Sequence, residues 1–137
     1  MKVKLDPNAF MPERAHPTDA GLDIRTPVQF QLRPRESKCI NTGVHIQLPP
    51  NTVGMLKSKS GLNVRYGVLS EGVIDEGYTG SIVAKLYNHG DAVVSFEKGD
   101  KITQLVVLPV LYVDAEETDA LEGGERGDKG FGSTGRA

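Results

Sequence analysis

Only one cysteine, Cys39, occurs in 137 residues, so no internal disulfide can staple this chain. It also lacks an apolar leader-like region and any hydrophobic run long enough to span a bilayer. Both absences argue against secretion and membrane insertion, and a cytoplasmic protein with no membrane role is expected. No charge of one sign dominates: 16 Lys and Arg face 18 Asp and Glu, for a formal net charge of −2. Without a global basic field, nucleic acid is not the expected partner, and a small molecule is. His16, His45 and His89 are scattered and have no cysteine at ligand spacing, which disfavours a protein-built zinc site. Any metal should therefore arrive with a substrate. There is no internal repeat, and helical patterning is nearly missing. Gly61 to Tyr66 and the acidic, weakly amphipathic Asp114 to Leu121 are the two short helix candidates.

What the chain does have is short alternating apolar runs, punctuated by Gly, Pro and Asn from end to end. That pattern predicts a single all-β domain, a sandwich or barrel rather than βαβ units. Val28, Phe30 and Leu32 alternate with Gln29, Gln31 and Arg33, and Val44, Ile46 and Leu48 alternate with His45 and Gln47. Each run turns one strand face to a core, and prolines end it. Further strands are expected at Val53 to Lys57, Ser81 to Asn88, Val93 to Phe96 and Ile102 to Leu111, the last of them deeply buried.

Five stretches could carry chemistry. Gly72-Val-Ile-Asp-Glu-Gly-Tyr-Thr-Gly80 sets Asp75 and Tyr78 in a glycine-bracketed turn, where a backbone can approach a ligand closely, although a plain strand-turn-strand fits too. The glycine-rich tail from Arg126 to Arg136 supplies N–H groups, hydroxyls and cations suited to phosphate, with Phe131 as its one aromatic. A solubilising tail is the alternative. Lys57-Ser-Lys-Ser-Gly-Leu62 ends a strand in a hydroxyl- and cation-rich turn that could hold phosphate or simply cap a helix. Gln104, in an otherwise apolar strand, must find hydrogen-bond partners, in a structural bridge or in a site. Asp23, in Ala20-Gly-Leu-Asp-Ile24, is an edge charge or a carboxylate near a metal–phosphate complex.

Together and in this order, Ala20-Gly-Leu-Asp-Ile, Lys59-Ser-Gly-Leu, Gly72 to Gly80, Gly99-Asp-Lys-Ile-Thr-Gln-Leu and Arg126-Gly-Asp-Lys-Gly-Phe-Gly-Ser-Thr-Gly resemble the five motifs of the trimeric dUTPase family. The resemblance spans nearly the whole chain. It implies a jelly-roll-like β-clip barrel over residues 1–122 and a flexible arm over 123–137, assembled as a homotrimer whose active sites are shared between subunits. It further implies hydrolysis of dUTP to dUMP and pyrophosphate, with Mg²⁺ carried on the triphosphate, which limits uracil in DNA and supplies dUMP for thymidylate synthesis. Under the same resemblance Asp75 is the general base and Tyr78 excludes a ribose 2′-hydroxyl. The hairpin main chain at Leu69, Gly72, Val73, Ile74 and Val83 reads uracil. Lys59, Ser60, Gly61 and Gln104 hold the phosphates or the catalytic water, and Asp23 lies in the outer shell of the metal. From the arm, Arg126 meets the γ-phosphate, Phe131 stacks on uracil, and Gly132, Ser133 and Thr134 wrap the phosphates.

Two positions depart from the family pattern. Lys59 replaces the usual Arg, which keeps charge but loses bidentate geometry, and Lys129 stands where Gly is common. One rival implied by the same likeness is a dCTP deaminase, which needs a catalytic glutamate where this chain has Lys85. The other is a nucleotide-sensing regulatory protein on the same scaffold.

Overall fold

The computed structural model describes residues 1–131 together with Thr134 and Gly135. Nine strands and one helix follow in order: β1 Lys2–Leu5, β2 Gly21–Arg25, β3 Phe30–Leu32, β4 Ser37–Gln47, β5 Thr52–Lys57, α1 Ser60–Tyr66, β6 Val68–Ile74, β7 Ser81–Asn88, β8 Val94–Phe96 and β9 Lys101–Pro109. Seven strands form one curled antiparallel sheet in the order β1-β4-β7-β6-β5-β9-β2, and β3 pairs with β8. The all-β jelly-roll expectation is met. No helix is long and apolar enough to cross a membrane among the described residues.

Alternation builds the core. One cluster gathers Ile24, Val44, Ile46, Leu56, Ile74 and Leu105, and a second gathers Leu32, Val68, Leu86, Phe96 and Ile102. Strand β7 feeds both, because Ile82, Ala84, Leu86 and Asn88 all point inward at a period of two. The inward polar residue, Asn88, is fully occupied. Its amide donates to the carbonyls of Leu32 and Ala92, both at 2.9 Å, and its oxygen accepts the Gly90 N–H at 2.9 Å. Leu105 lies wholly buried where β9 passes between β5 and β2, and truncating such a leucine to alanine costs about 2–5 kcal/mol.

Three expectations need correction. Strand β9 is buried only in its first half: Ile102, Thr103 and Leu105 are inside, but Leu108 is exposed and Leu111 lies beyond the strand at 84% exposure. Asp114 to Leu121 forms no helix and is exposed throughout, because an eight-residue acidic stretch without a partner face cannot repay helix nucleation. Strand β3 begins only at Phe30, and Val28 is half exposed. The helix at Ser60–Tyr66 does form, and Gly67 ends it in the left-handed region at φ 69°.

Candidate active site

The turn between β6 and β7 sits at the mouth of a fork. Strand β6 pairs with β5 from Lys57↔Glu71 to Gly54↔Ile74, but with β7 only at Val68↔Asn88, Leu69↔Tyr87 and Ser70↔Leu86. Beyond Ser70, β6 stays with β5 while β7 stays with β4 as far as Ser81. The inner main-chain edges of the two arms therefore diverge. Between them opens a cleft of about 250 Å³ lined by Gly72, Val73, Ile74, Asp75, Tyr78 and Val83, with the buried Leu56 and Ile82 behind. Leu69, expected in the same group, lies before the fork, still level with Tyr87.

Buried Ile74 anchors the strand end, and the Tyr78 N–H closes the turn on the Asp75 carbonyl at 3.0 Å. The Tyr78 hydroxyl donates to the Ser81 carbonyl at 2.9 Å. Its ring crosses Gly80 so closely that a Cβ there would come within 2.5 Å of the phenol oxygen, so any side chain at that position would push the ring aside. On the far side, the Thr79 carbonyl meets His45 Nδ1 at 2.9 Å, and His45 Nε2 meets Asp6 Oδ2 at 3.1 Å. Two acceptors favour the imidazolium: first Thr79 and then Asp6 raise the His45 pKa above 6.5, against partial desolvation and nearby Lys4.

A second group assembles on the row Asp23↔Gln104↔Lys57 across β2, β9 and β5. Gln104 donates through Nε2 to the Ser58 carbonyl at 2.9 Å. Gly21 makes room for it, since a Cβ there would lie 2.1 Å from Gln104 Oε1. Hydroxyls brace the same turn. Ser58 Oγ accepts the Ser70 N–H and donates to the Ser70 carbonyl, Ser70 Oγ donates to Thr103 Oγ1, and Thr103 donates to the Lys57 carbonyl. Ser60 and Gly61, the first residues of α1, stand exposed just beyond.

Asp23 is only 4% exposed and holds two ammonium groups, Lys59 on Oδ1 and Lys101 2.7 Å from Oδ2. The second contact is an ion pair lying off hydrogen-bond direction. Burial pushes the Asp23 carboxyl up, but the Lys101 and Lys59 contacts outweigh it and hold the group below its ordinary 3.8. Among the described residues no three His, Cys, Asp or Glu side chains cluster as a metal centre. With both Asp23 oxygens occupied by cations, this donor set does not fit a resident Mg²⁺.

In the arm, Arg126 donates to the Gly130 carbonyl at 3.1 Å, Phe131 buries none of its surface, and Thr134 is exposed. Gly132 and Ser133 lie outside the described residues. Sequence reasoning missed Lys101, His45 and Glu76. A carboxylate in an apolar strand context demands cations, and that demand was the one signal that could have pointed to Lys101.

Fold and sites together define a jelly-roll nucleotidohydrolase. The dUTPase family pattern matches residues 7–135, and the chain belongs to the dUTPase family. It is 40% identical to the deoxyuridine 5′-triphosphate nucleotidohydrolase of Gloeothece citriformis over 97% of this chain and 94% of that one. Its fold superposes on the Staphylococcus bacteriophage 80alpha dUTPase with dUPNHPP at a TM-score of 0.91, with 33% identity and 98% of each chain covered. The dUTPase of phage phi11 of S. aureus, described with a structural Mg(II) ion, is 29% identical at a TM-score of 0.81 over 89% of this chain and 98% of that one.

Proposed function

We propose that the chain hydrolyses dUTP to dUMP and pyrophosphate at sites shared between the subunits of a homotrimer. The forked hairpin is the observation that carries this reading. It leaves main-chain donors and acceptors without a strand partner along its inner edges, between Gly72 and Ile74 and at Val83, for the edge of a flat base, directly beside Asp75 and Tyr78. Fixed main-chain groups in a narrow cleft read uracil and leave no space for a larger ring. Tyr78, folded over Gly80, stands against the deoxyribose and crowds out a 2′-hydroxyl.

Asp75 accepts the proton of a water that attacks the α-phosphorus, and the bond to the bridging oxygen breaks as pyrophosphate leaves. Such a base is worth ~10²–10⁴-fold, and most of the remaining acceleration comes from neutralising and aligning the polyanion. Lys59, Ser60 and Gly61 supply that contact, Gln104 holds the attacking water, and Asp23 acts at one remove by holding Lys59. Mg²⁺ enters as part of the substrate, on the triphosphate. Arg126, Phe131 and the segment Gly132 to Thr134 belong to an arm, residues 123–137, that closes over γ-phosphate and base.

A distance supports the shared-site part of this reading. Glu71 is level with Lys57 and hence with Gln104, and Asp75 lies four residues further on, about 13 Å along the strand. One water can touch two groups only when they stand within about 6 Å of each other. With Gln104 assigned to the water, Asp75 and Gln104 of one chain serve different sites in this reading, and a neighbour completes each.

Incubation with Mg²⁺ and dUTP, dCTP, dTTP or UTP, with pyrophosphate and nucleotide products measured, tests this reading. Pyrophosphate and dUMP should form from dUTP alone, and Asp75→Asn should lose at least ~10²-fold in kcat. Equal turnover by wild type and Asp75→Asn would remove the proposed base, and a uracil nucleotide formed from dCTP would replace hydrolysis by deamination.

A further inference from the structure

Three segments meet at one carboxylate beside Asp75. Glu76 Oε2 accepts the N–H of Asn51 at 3.0 Å and the hydroxyl of Tyr112. Asn51 ends the turn before β5 in the left-handed region at φ 58°, and its carbonyl accepts the Val110 N–H at 3.0 Å. The β4–β5 turn, the Asp75 turn and the chain leaving β9 are thus tied through half-buried Glu76. Tyr112 is otherwise an exposed residue on a segment with little packing, and it is held by this contact. Its hydroxyl pKa is raised, chiefly by donation to Glu76 and then by desolvation and the negative charges of Glu76 and Asp75. A cleft of about 520 Å³ lies here, bounded by Thr52, Val53, Asp75, Glu76, Val110 and Tyr112. Asp75 therefore lines a space on this side as well as in the fork, with no hydrogen bond to its carboxylate among the described residues to fix it.

We propose that Glu76 is a positioning residue for the proposed base, and that Tyr112 is its clasp. This rests on the reading of Asp75 given above. The physical need is specific: an exposed turn residue whose carboxylate must meet a water in line with phosphorus gains from a fixed backbone, and a displacement of about 1 Å costs on the order of 10²-fold. Glu76 fixes the adjacent peptide from the second cleft and does not line the fork cleft where the base is read. Its loss should lower kcat and spare KM. The clasp also ties the turn to the chain that leaves β9.

Steady-state kinetics on Glu76→Ala, Glu76→Gln, Tyr112→Phe and Asp75→Asn, each checked by thermal melting and sedimentation, tests the assignment. Glu76→Ala should lose ~10-fold to ~100-fold in kcat with KM for dUTP within about twofold of wild type. Glu76→Gln retains an acceptor oxygen and should recover most of the rate, and Tyr112→Phe, losing one of the two bonds, should fall between. A raised KM with unchanged kcat in Glu76→Ala, or Glu76→Gln as slow as Glu76→Ala, overturns the assignment. Should Glu76→Ala fail to fold, the folded Tyr112→Phe decides: a kcat loss supports the assignment, and wild-type kcat overturns it. An inactive Asp75→Asn beside a fully active Glu76→Ala refutes only the positioning role, whereas an active Asp75→Asn refutes the base itself.

Discussion

One absent Cβ governs where Gln104 can be. Gly21 leaves the space that the Gln104 amide crosses to reach the Ser58 carbonyl, and a methyl group there would overlap Oε1 at 2.1 Å. The amide cannot retreat without breaking its bond to a turn that also carries Lys59 and Ser60. Gly21→Ala is therefore expected to lower kcat by ~10-fold or more while costing about 1–3 kcal/mol of stability, as overpacking does. Stopped-time assays with denaturant melts would separate the two effects, and a variant with wild-type kcat would show that Gln104 has no positional role. Asp23 shows the same economy. Its residue type and neighbouring glycine were legible in the sequence, but its two lysines were not. Lys59 and Lys101 are 42 residues apart in the chain and meet only because β2 and β9 pair and β5 ends beside them.

At the scale of elements, hydrophobic alternation located the strands because it is local, and it failed wherever pairing decided the outcome. No residue pattern announces that β6 leaves β7 after Ser70, since the fork arises from two ladders with different lengths on either side of one strand. The second half of β9 and the stretch from Asp114 to Leu121 misled for a related reason: apolar or weakly amphipathic character specifies a buried face only when a partner surface exists. The hairpin turn is further held by His45, a residue that alternation marked only as outward. Because its folded pKa is raised by Thr79 and Asp6, its contribution to stability is fully present below the unfolded value near 6.5. That contribution fades as pH rises through the higher folded value. Melting wild type and His45→Gln side by side should show a clear Tm gap at about pH 5 that narrows by about pH 9. A gap that stays constant or widens with pH would mean that the imidazolium does not hold the turn.

At the scale of the whole molecule, the five motifs were readable in order, yet their spatial partition was not, because a motif states its residues and not the subunit whose site they enter. The hairpin group and the Gln104 group stand about 13 Å apart along the strand direction, and the proposed three-fold ring, in which each hairpin faces a neighbour's phosphate group, would use both. This partition predicts complementation. Asp75→Asn and Gln104→Ala should each be nearly inactive as pure proteins. When the two chains are unfolded together in equal amounts and refolded, random assembly gives each site an intact Asp75 with probability one half and an intact Gln104 from the neighbour with probability one half. About a quarter of wild-type activity should return. If both residues of a site came from one chain, every chain would carry one defect and no mixture would recover. Measuring dUMP release from the refolded mixture, with sedimentation to confirm equal assembly, separates the two arrangements without any appeal to where the arm lies.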